Sequence, residues 1–98
     1  MAYAIRIAPP AERAIGKLPA QIQIAVLDKL EELAEDPRPV GCEKVKELAS
    51  YGVYRIRVGK DYRIVYQVKD EVALVLVVKV ADRKEVYRRL DDLKRLLK

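Results

Sequence analysis

The chain has 98 residues, 51% of them hydrophobic and 36% charged, with 20 Lys and Arg against 15 Asp and Glu for a net charge of +5. That length suits one domain spanning residues 1–98 with a modest core, and the apolar share excludes a disordered tail. One cysteine, Cys42, and no histidine exclude an internal disulfide and a Cys/His zinc cluster.

The first segment, Tyr3–Ala8, reads as a strand stopped by Pro9-Pro10. A short helix over Ala11–Leu18 is expected next, weakened by Gly16. Pro19 fits the first turn of a second helix, Ala20–Glu35, where its missing N–H costs nothing. Ile22, Val26, Leu30 and Leu33 recur there at helical spacing, and the two helices form a hairpin ended by Asp36-Pro37-Arg38-Pro39.

Residues 40–52 fit either a short helix or an irregular strand. Val53–Val58, Tyr62–Lys69 and Val72–Val80 are rich in Val, Ile and Tyr and are joined by short connections, which predicts an antiparallel meander. Residues 83–97 place Val86, Leu90, Leu93 and Leu97 at helical spacing, so a terminal helix is expected. The fold class is therefore α+β: an antiparallel sheet with an N-terminal helical hairpin and a C-terminal helix. The start, Met-Ala-Tyr-Ala-Ile-Arg, lacks the apolar run of a signal peptide, and no run reaches the roughly 18 apolar residues of a membrane helix. A reducing, cytoplasmic setting and no membrane partner are expected.

The charge is uneven. Residues 1–42 hold five bases and six acids, residues 43–98 fifteen and nine, so the second half carries any anion site. Strand alternation puts Tyr54, Ile56 and Val58 on one face and Arg55 and Arg57 on the other, while Tyr62, Ile64 and Tyr66 oppose Arg63. The apolar set must face the helices, because an unpaired buried guanidinium costs several kcal/mol. Arg55, Arg57 and Arg63 should then emerge together on one surface, with Tyr54, Tyr62 and Tyr66 in the core. The third meander strand is apolar at both parities, as expected of a strand covered on both sides by a partner or by the terminal segment. Lys79 breaks that run, and Arg83 and Lys84 follow where a loop can bring them beside the sheet arginines. A solvated basic face is the ordinary explanation of such a pattern. Convergence of the guanidiniums, whose planar forks hold phosphate oxygens bidentately, is the functional one.

At Tyr54-Arg55-Ile56-Arg57-Val58, Tyr62-Arg63-Ile64-Val65-Tyr66 and Asp82-Arg83-Lys84-Glu85-Val86-Tyr87 the chain resembles the RelE/ParE toxin superfamily, in its RelE branch. The resemblance spans the opening strand, helical hairpin, meander and tail. It implies a compact twisted sheet and the toxin of a type II toxin–antitoxin pair: an endoribonuclease that enters the 30S A site and cuts mRNA there by attack of the RNA 2′-OH, without metal or other cofactor. It also implies a cognate antitoxin, contact with mRNA and rRNA, and operator DNA bound only through the toxin–antitoxin complex.

By matching positions, the resemblance assigns Arg55, Arg57, Arg63, Arg83 and Tyr87 to catalysis. Lys44, Lys46, Lys79 and Lys84 are assigned to RNA binding and Asp82 to a possible base. Two departures stand out. Family members often carry lysine at positions 55 and 57, and several carry histidine where Asp82 stands. Arginine, with a pKa above about 12, is a poor general base. Three other readings remain: a ParE-like inhibitor of DNA gyrase, a non-catalytic nucleic-acid-binding module, and a detoxified structural partner.

Overall fold

The computed structural model describes residues 2–97. Its elements in chain order are β1 (Ala4–Ile7), α1 (Pro9–Gly16), α2 (Ala20–Glu35), β2 (Glu43–Lys44), β3 (Val53–Val58), β4 (Tyr62–Lys69) and β5 (Leu74–Asp82), with short 3-10 segments at Lys46–Tyr51, Asp70–Val72 and Leu90–Leu96. The helical hairpin and the meander stand where the sequence puts them. Pro9 and Pro10 occupy the first positions of α1 rather than separating it from the strand, since neither residue needs an N–H in a first helical turn.

One five-stranded sheet has the order β1-β5-β4-β3-β2. The meander β3 to β5 is antiparallel as expected, β2 adds to it antiparallel at β3, and β1 lies parallel to β5 (Ile5 opposite Val75), which makes the sheet mixed. The ambiguous stretch resolves into the two-residue strand β2 and the 3-10 turn after it. Gly52 follows that turn with φ of 71°, and a Cβ there would stand 3.2 Å from the carbonyl oxygen of Val68. Both the left-handed backbone and the close strand approach therefore require glycine.

The sheet is covered on both faces. Ile56, Val58, Ile64, Tyr66, Val75 and Val77 pack against Val26, Leu30 and Leu33 of α2. On the other face Val53, Val65 and Val78 meet Val86, Leu90, Leu93 and Leu97 of the C-terminal tail. The apolar run at both parities of β5 thus has its second cover within the chain. The tail is not a continuous α-helix. Residues 83–89 are turns, Arg89 adopts φ of 55°, and a 3-10 helix begins only at Leu90. Its four apolar side chains are buried all the same. At about 1.5–3 kcal/mol for each full burial, packing on the sheet outweighs the gain from regular helix in so short a segment.

A β-bulge sets the faces of β5. Val65 pairs with Lys79 and the next residue, Tyr66, pairs with Val77, leaving Val78 without an opposite number. Val78 and Lys79 both come to the tail face, whereas strict alternation would send Lys79 into the helix-side core. There its ammonium donates to the carbonyl of Arg88, and desolvation lowers its pKa. A single buried amide fastens the end of the tail: Gln67 Nε2 donates to the carbonyls of Tyr51 and Leu97, each at 2.9 Å.

A second polar network ties the hairpin side together. Asp70 accepts two hydrogen bonds from the Arg38 guanidinium (2.7 and 3.2 Å) and one from the Tyr3 hydroxyl (2.6 Å). Arg38 Nε donates to the Tyr54 hydroxyl at 2.9 Å, its guanidinium lying over that ring. Tyr66 is wholly buried, its hydroxyl donates to the carbonyl of Pro37, and burial pushes the phenol pKa up. Tyr66 is a core residue, and Tyr54 and Tyr62 pack half-buried against the same core, on the face that the strand alternation predicts.

Candidate functional site

The tail shields the tail-side face of β3 and β4 near Val53 and Gln67. It leaves open the end nearer the Gly59-Lys60-Asp61 turn, where Arg57 and Arg63 are Cα partners across the ladder and Arg55 stands two pairs further along on the same face, opposite Val65. Arg57 is exposed; Arg55 and Arg63 are half-buried. Like charges placed directly opposite on a sheet are destabilising. Among the described residues no carboxylate comes within ion-pair distance of Arg57 or Arg63. The Arg63 guanidinium is steadied by its own strand, Nη1 donating to the Tyr62 carbonyl at 3.1 Å.

Arg55 is held on two sides. Its Nη2 lies 3.0 Å from Glu43 Oε1, its partner in the β2–β3 ladder, and its guanidinium sits 5.1 Å from the centre of the Tyr87 ring. That contact is within cation–π range and brings the exposed Tyr87 ring from the tail back to the sheet. Gly41, Glu43, Arg55, Ile56, Arg57, Arg63 and Tyr87 together line an open cleft of about 390 Å³.

The remaining predicted residues do not line this cleft. Lys44 and Lys46 lie in an adjoining depression with Glu43, Glu47, Ala49, Arg55 and Tyr87. Arg83 and Lys84 share a separate depression with Asp61, Tyr62 and Asp82, where the Arg83 N–H donates to the Asp61 carbonyl at 2.7 Å. Asp82 Oδ1 accepts from the backbone N–H groups of Lys84 (2.9 Å) and Glu85 (2.8 Å), a turn-capping arrangement that fixes the carboxylate through one of its two oxygens. Lys79 lines none of these three surfaces and is turned to the tail. Among the described residues no three His, Cys, Asp or Glu side chains gather into a metal-sized cluster, and no helix is long and apolar enough to cross a membrane.

Glu43 is the residue that sequence reasoning missed. It lies in the stretch without a clear period, and only the two-residue pairing of β2 with β3 carries it to Arg55. No local pattern announces such a contact.

Chemically, the cleft offers three permanent positive charges on two neighbouring strands, an aromatic ring at the rim and one carboxylate. This arrangement suits a phosphodiester with an unstacked base beside it: guanidiniums bind the phosphate oxygens, and an aromatic face receives the base.

Residues 5–87 match the family model described as the ParE toxin of type II toxin–antitoxin systems, parDE. Toxin RelG of Mycobacterium tuberculosis is 36% identical over 90 residues, covering 91% of this chain and all of that protein. The toxin–antitoxin complex RelBE2 from the same organism contains a chain that superposes with a TM-score of 0.73 at 33% identity, covering 85% of this chain and 100% of that one. A mutant of E. coli toxin RelE in the free state gives a TM-score of 0.80 at 30% identity, covering 99% of this chain and 100% of the other.

Proposed function

The chain belongs to the RelE/ParE toxin superfamily, in its RelE-like branch, and from that premise we propose that it is the toxin of a type II toxin–antitoxin system, cutting mRNA in the ribosomal A site. The observation that carries this reading is the Arg57–Arg63 confrontation in an open cleft beside Tyr87. A toxin directed at DNA gyrase has no use for a phosphodiester-sized basic cleft with a stacking ring. A passive nucleic-acid-binding surface would use the same arginines and leave the RNA uncut, so turnover separates the two readings.

The reaction needs three things from the protein. The 2′-OH, the phosphorus and the departing 5′ oxygen must lie in line, which is a matter of positioning. The charge that builds on the phosphorane must be stabilised, which fixed cations accomplish. The base beside the scissile bond must be drawn out of its stack. Arg57 and Arg63 serve the phosphorane from adjacent strands, Arg55 holds the 2′ oxygen, and Tyr87 receives the base. Arg83 reaches the same strand of RNA from the neighbouring depression, with Lys84. The O2′–P bond forms as the P–O5′ bond breaks, giving a 2′,3′-cyclic phosphate and a 5′-hydroxyl. Water carries the protons, because arginine stays protonated at neutral pH. No step calls for a metal ion.

A chain so arranged depends on its surroundings. The ribosome orders mRNA that in solution is free to turn, so free RNA should be cut poorly. Lys44 and Lys46 would rest on rRNA or the following mRNA phosphates. Relatives crystallised as toxin–antitoxin complexes support a cognate antitoxin, which would mask the cleft, and operator DNA would be engaged only through that complex. The setting is cytoplasmic.

Mapping of mRNA ends on programmed ribosomes, with and without the purified antitoxin, tests this. Expected are cuts within the A-site codon, abolished by antitoxin and lost in Arg63→Ala and Arg83→Ala proteins that remain folded. Wild-type cutting by both variants would refute the assignment, and DNA damage without translation arrest on expression would favour the gyrase reading.

A further inference from the structure

The arginine cleft and the lysine-bearing depression share three residues, Glu43, Arg55 and Tyr87. These form a continuous chain of contacts, carboxylate to guanidinium to ring, at 3.0 Å and 5.1 Å. They stand as a wall between Arg57 and Arg63 on one side and Lys44 and Lys46 on the other. We propose that Glu43 is a positioning residue that sets the register of the RNA strand across this wall.

The inference rests on the cleft being an RNA-cutting site, and its grounds are electrostatic and steric. Glu43 carries the one carboxylate among the residues lining the arginine cleft, and it lies on the boundary rather than at the far wall. A phosphate cannot rest against that carboxylate, so consecutive phosphates straddle it: the scissile one among the arginines, the next on the lysine side, where Lys44 and Lys46 outweigh Glu47. The same carboxylate decides where Arg55 points. Held by Glu43, the guanidinium lies on the Tyr87 ring. That contact ties the exposed ring to the sheet, and among the described residues the Tyr87 hydroxyl makes no hydrogen bond. With Glu43 uncharged, Arg55 is free to follow whichever phosphate is nearest, and the ring loses its fixed place. Binding should survive, because a negative charge has been removed from a basic surface. Turnover and the choice of bond should suffer.

The test compares Glu43→Gln and Glu43→Asp with wild type on ribosomes carrying end-labelled mRNA, reading single-turnover rate, half-saturating toxin concentration and the position of every cut. Glu43 is exposed on a two-residue edge strand, so both variants should fold, which their thermal unfolding verifies. For Glu43→Gln the expected result is a rate about fivefold lower, the size an exposed ion pair can account for. The half-saturating concentration should be unchanged or lower, and new cuts should appear at the adjacent phosphodiester. Glu43→Asp, which keeps the charge, should restore the single cut. A Glu43→Gln protein that matches wild type in rate and cut position overturns the inference while leaving the enzymatic reading intact. A wild-type protein that cuts no mRNA overturns both.

Discussion

Arg57 and Arg63 stand directly across from each other on neighbouring antiparallel strands, on a part of the tail-side face that the tail does not cover. Two like charges so placed oppose pairing of the strands and suit the proposed phosphate site. Replacing Arg57 with Ala should leave stability unchanged or raise it by up to about 1 kcal/mol, the upper range of a cross-strand pair. It should lower cleavage on the ribosome by a factor of about 10² or more, as the loss of one fixed donor to a transition-state oxyanion does. Urea unfolding and single-turnover cleavage of the same preparation check both halves. A variant that loses stability and activity together would point to a structural arginine.

The lysines divide by position. Lys44 and Lys46 lie beside the cleft, while the Lys79 ammonium is engaged by the Arg88 carbonyl. Removing Lys44 or Lys46 should weaken binding to single-stranded RNA evenly across sequences. It should also shallow the salt dependence by about 0.7 log units per log unit of salt for each phosphate no longer neutralised. Lys79→Ala should leave that slope unchanged and instead loosen the tail, visible as faster amide exchange in residues 86–97. Affinity titrations at several salt concentrations, paired with hydrogen exchange, separate the two behaviours.

Gln67 predicts how firmly the tail is held. Its amide is 4% exposed and joins the carbonyls of Tyr51 and Leu97. Gln67→Leu keeps the bulk but strands two carbonyls, each a cost of about 1–3 kcal/mol if it remains buried. The cheaper outcome is for the end of the tail to lift so that water reaches them. The expected result is a modest fall in global stability together with new binding of a hydrophobic dye to the exposed tail-side core. A variant with native dye binding and wild-type stability would show that apolar packing alone holds the tail.

Much of the fold and of the site was legible in the chain, and what was not has a physical pattern. Period-two alternation located Arg55, Arg57 and Arg63 correctly because those strands are regular and one face is apolar. Tyr54, Tyr62 and Tyr66 followed by the same rule. Lys79 could not be placed by it, since the bulge between Val65 and Tyr66 changes the parity of β5 and leaves no local mark. The tail kept the predicted burial of Val86, Leu90, Leu93 and Leu97, and its helix is a 3-10 segment over Leu90–Leu96 rather than one running from 83 to 97. Spacing of three and four residues suits a 3-10 turn on a sheet nearly as well as an α-helix. Glu43 and the parallel pairing of β1 with β5 are non-local contacts, invisible to any reading of neighbours in the chain.

Acid sensitivity should arise far from the cleft, at Asp70. Hydrogen bonds from Arg38 first, and then from Tyr3, hold its carboxyl below the usual carboxylate range. A pKa lowered by folding gives stability that is fully present above the unfolded value, near 3.9 for aspartate. That contribution is lost as pH falls through the folded value, because the unfolded chain takes up the proton first. Asp70→Asn should therefore reduce Tm at neutral pH, where the ion pair with Arg38 and the charged acceptor for Tyr3 are both removed. It should also flatten the decline of Tm with pH below about 4 relative to wild type. Thermal unfolding from pH 2 to 8 on both proteins measures the difference. Parallel curves across the acid range would mean that other carboxylates set the acid limb. Since Asp70 touches neither Arg57 nor Tyr87, cleavage at neutral pH by the folded variant should remain at the wild-type rate.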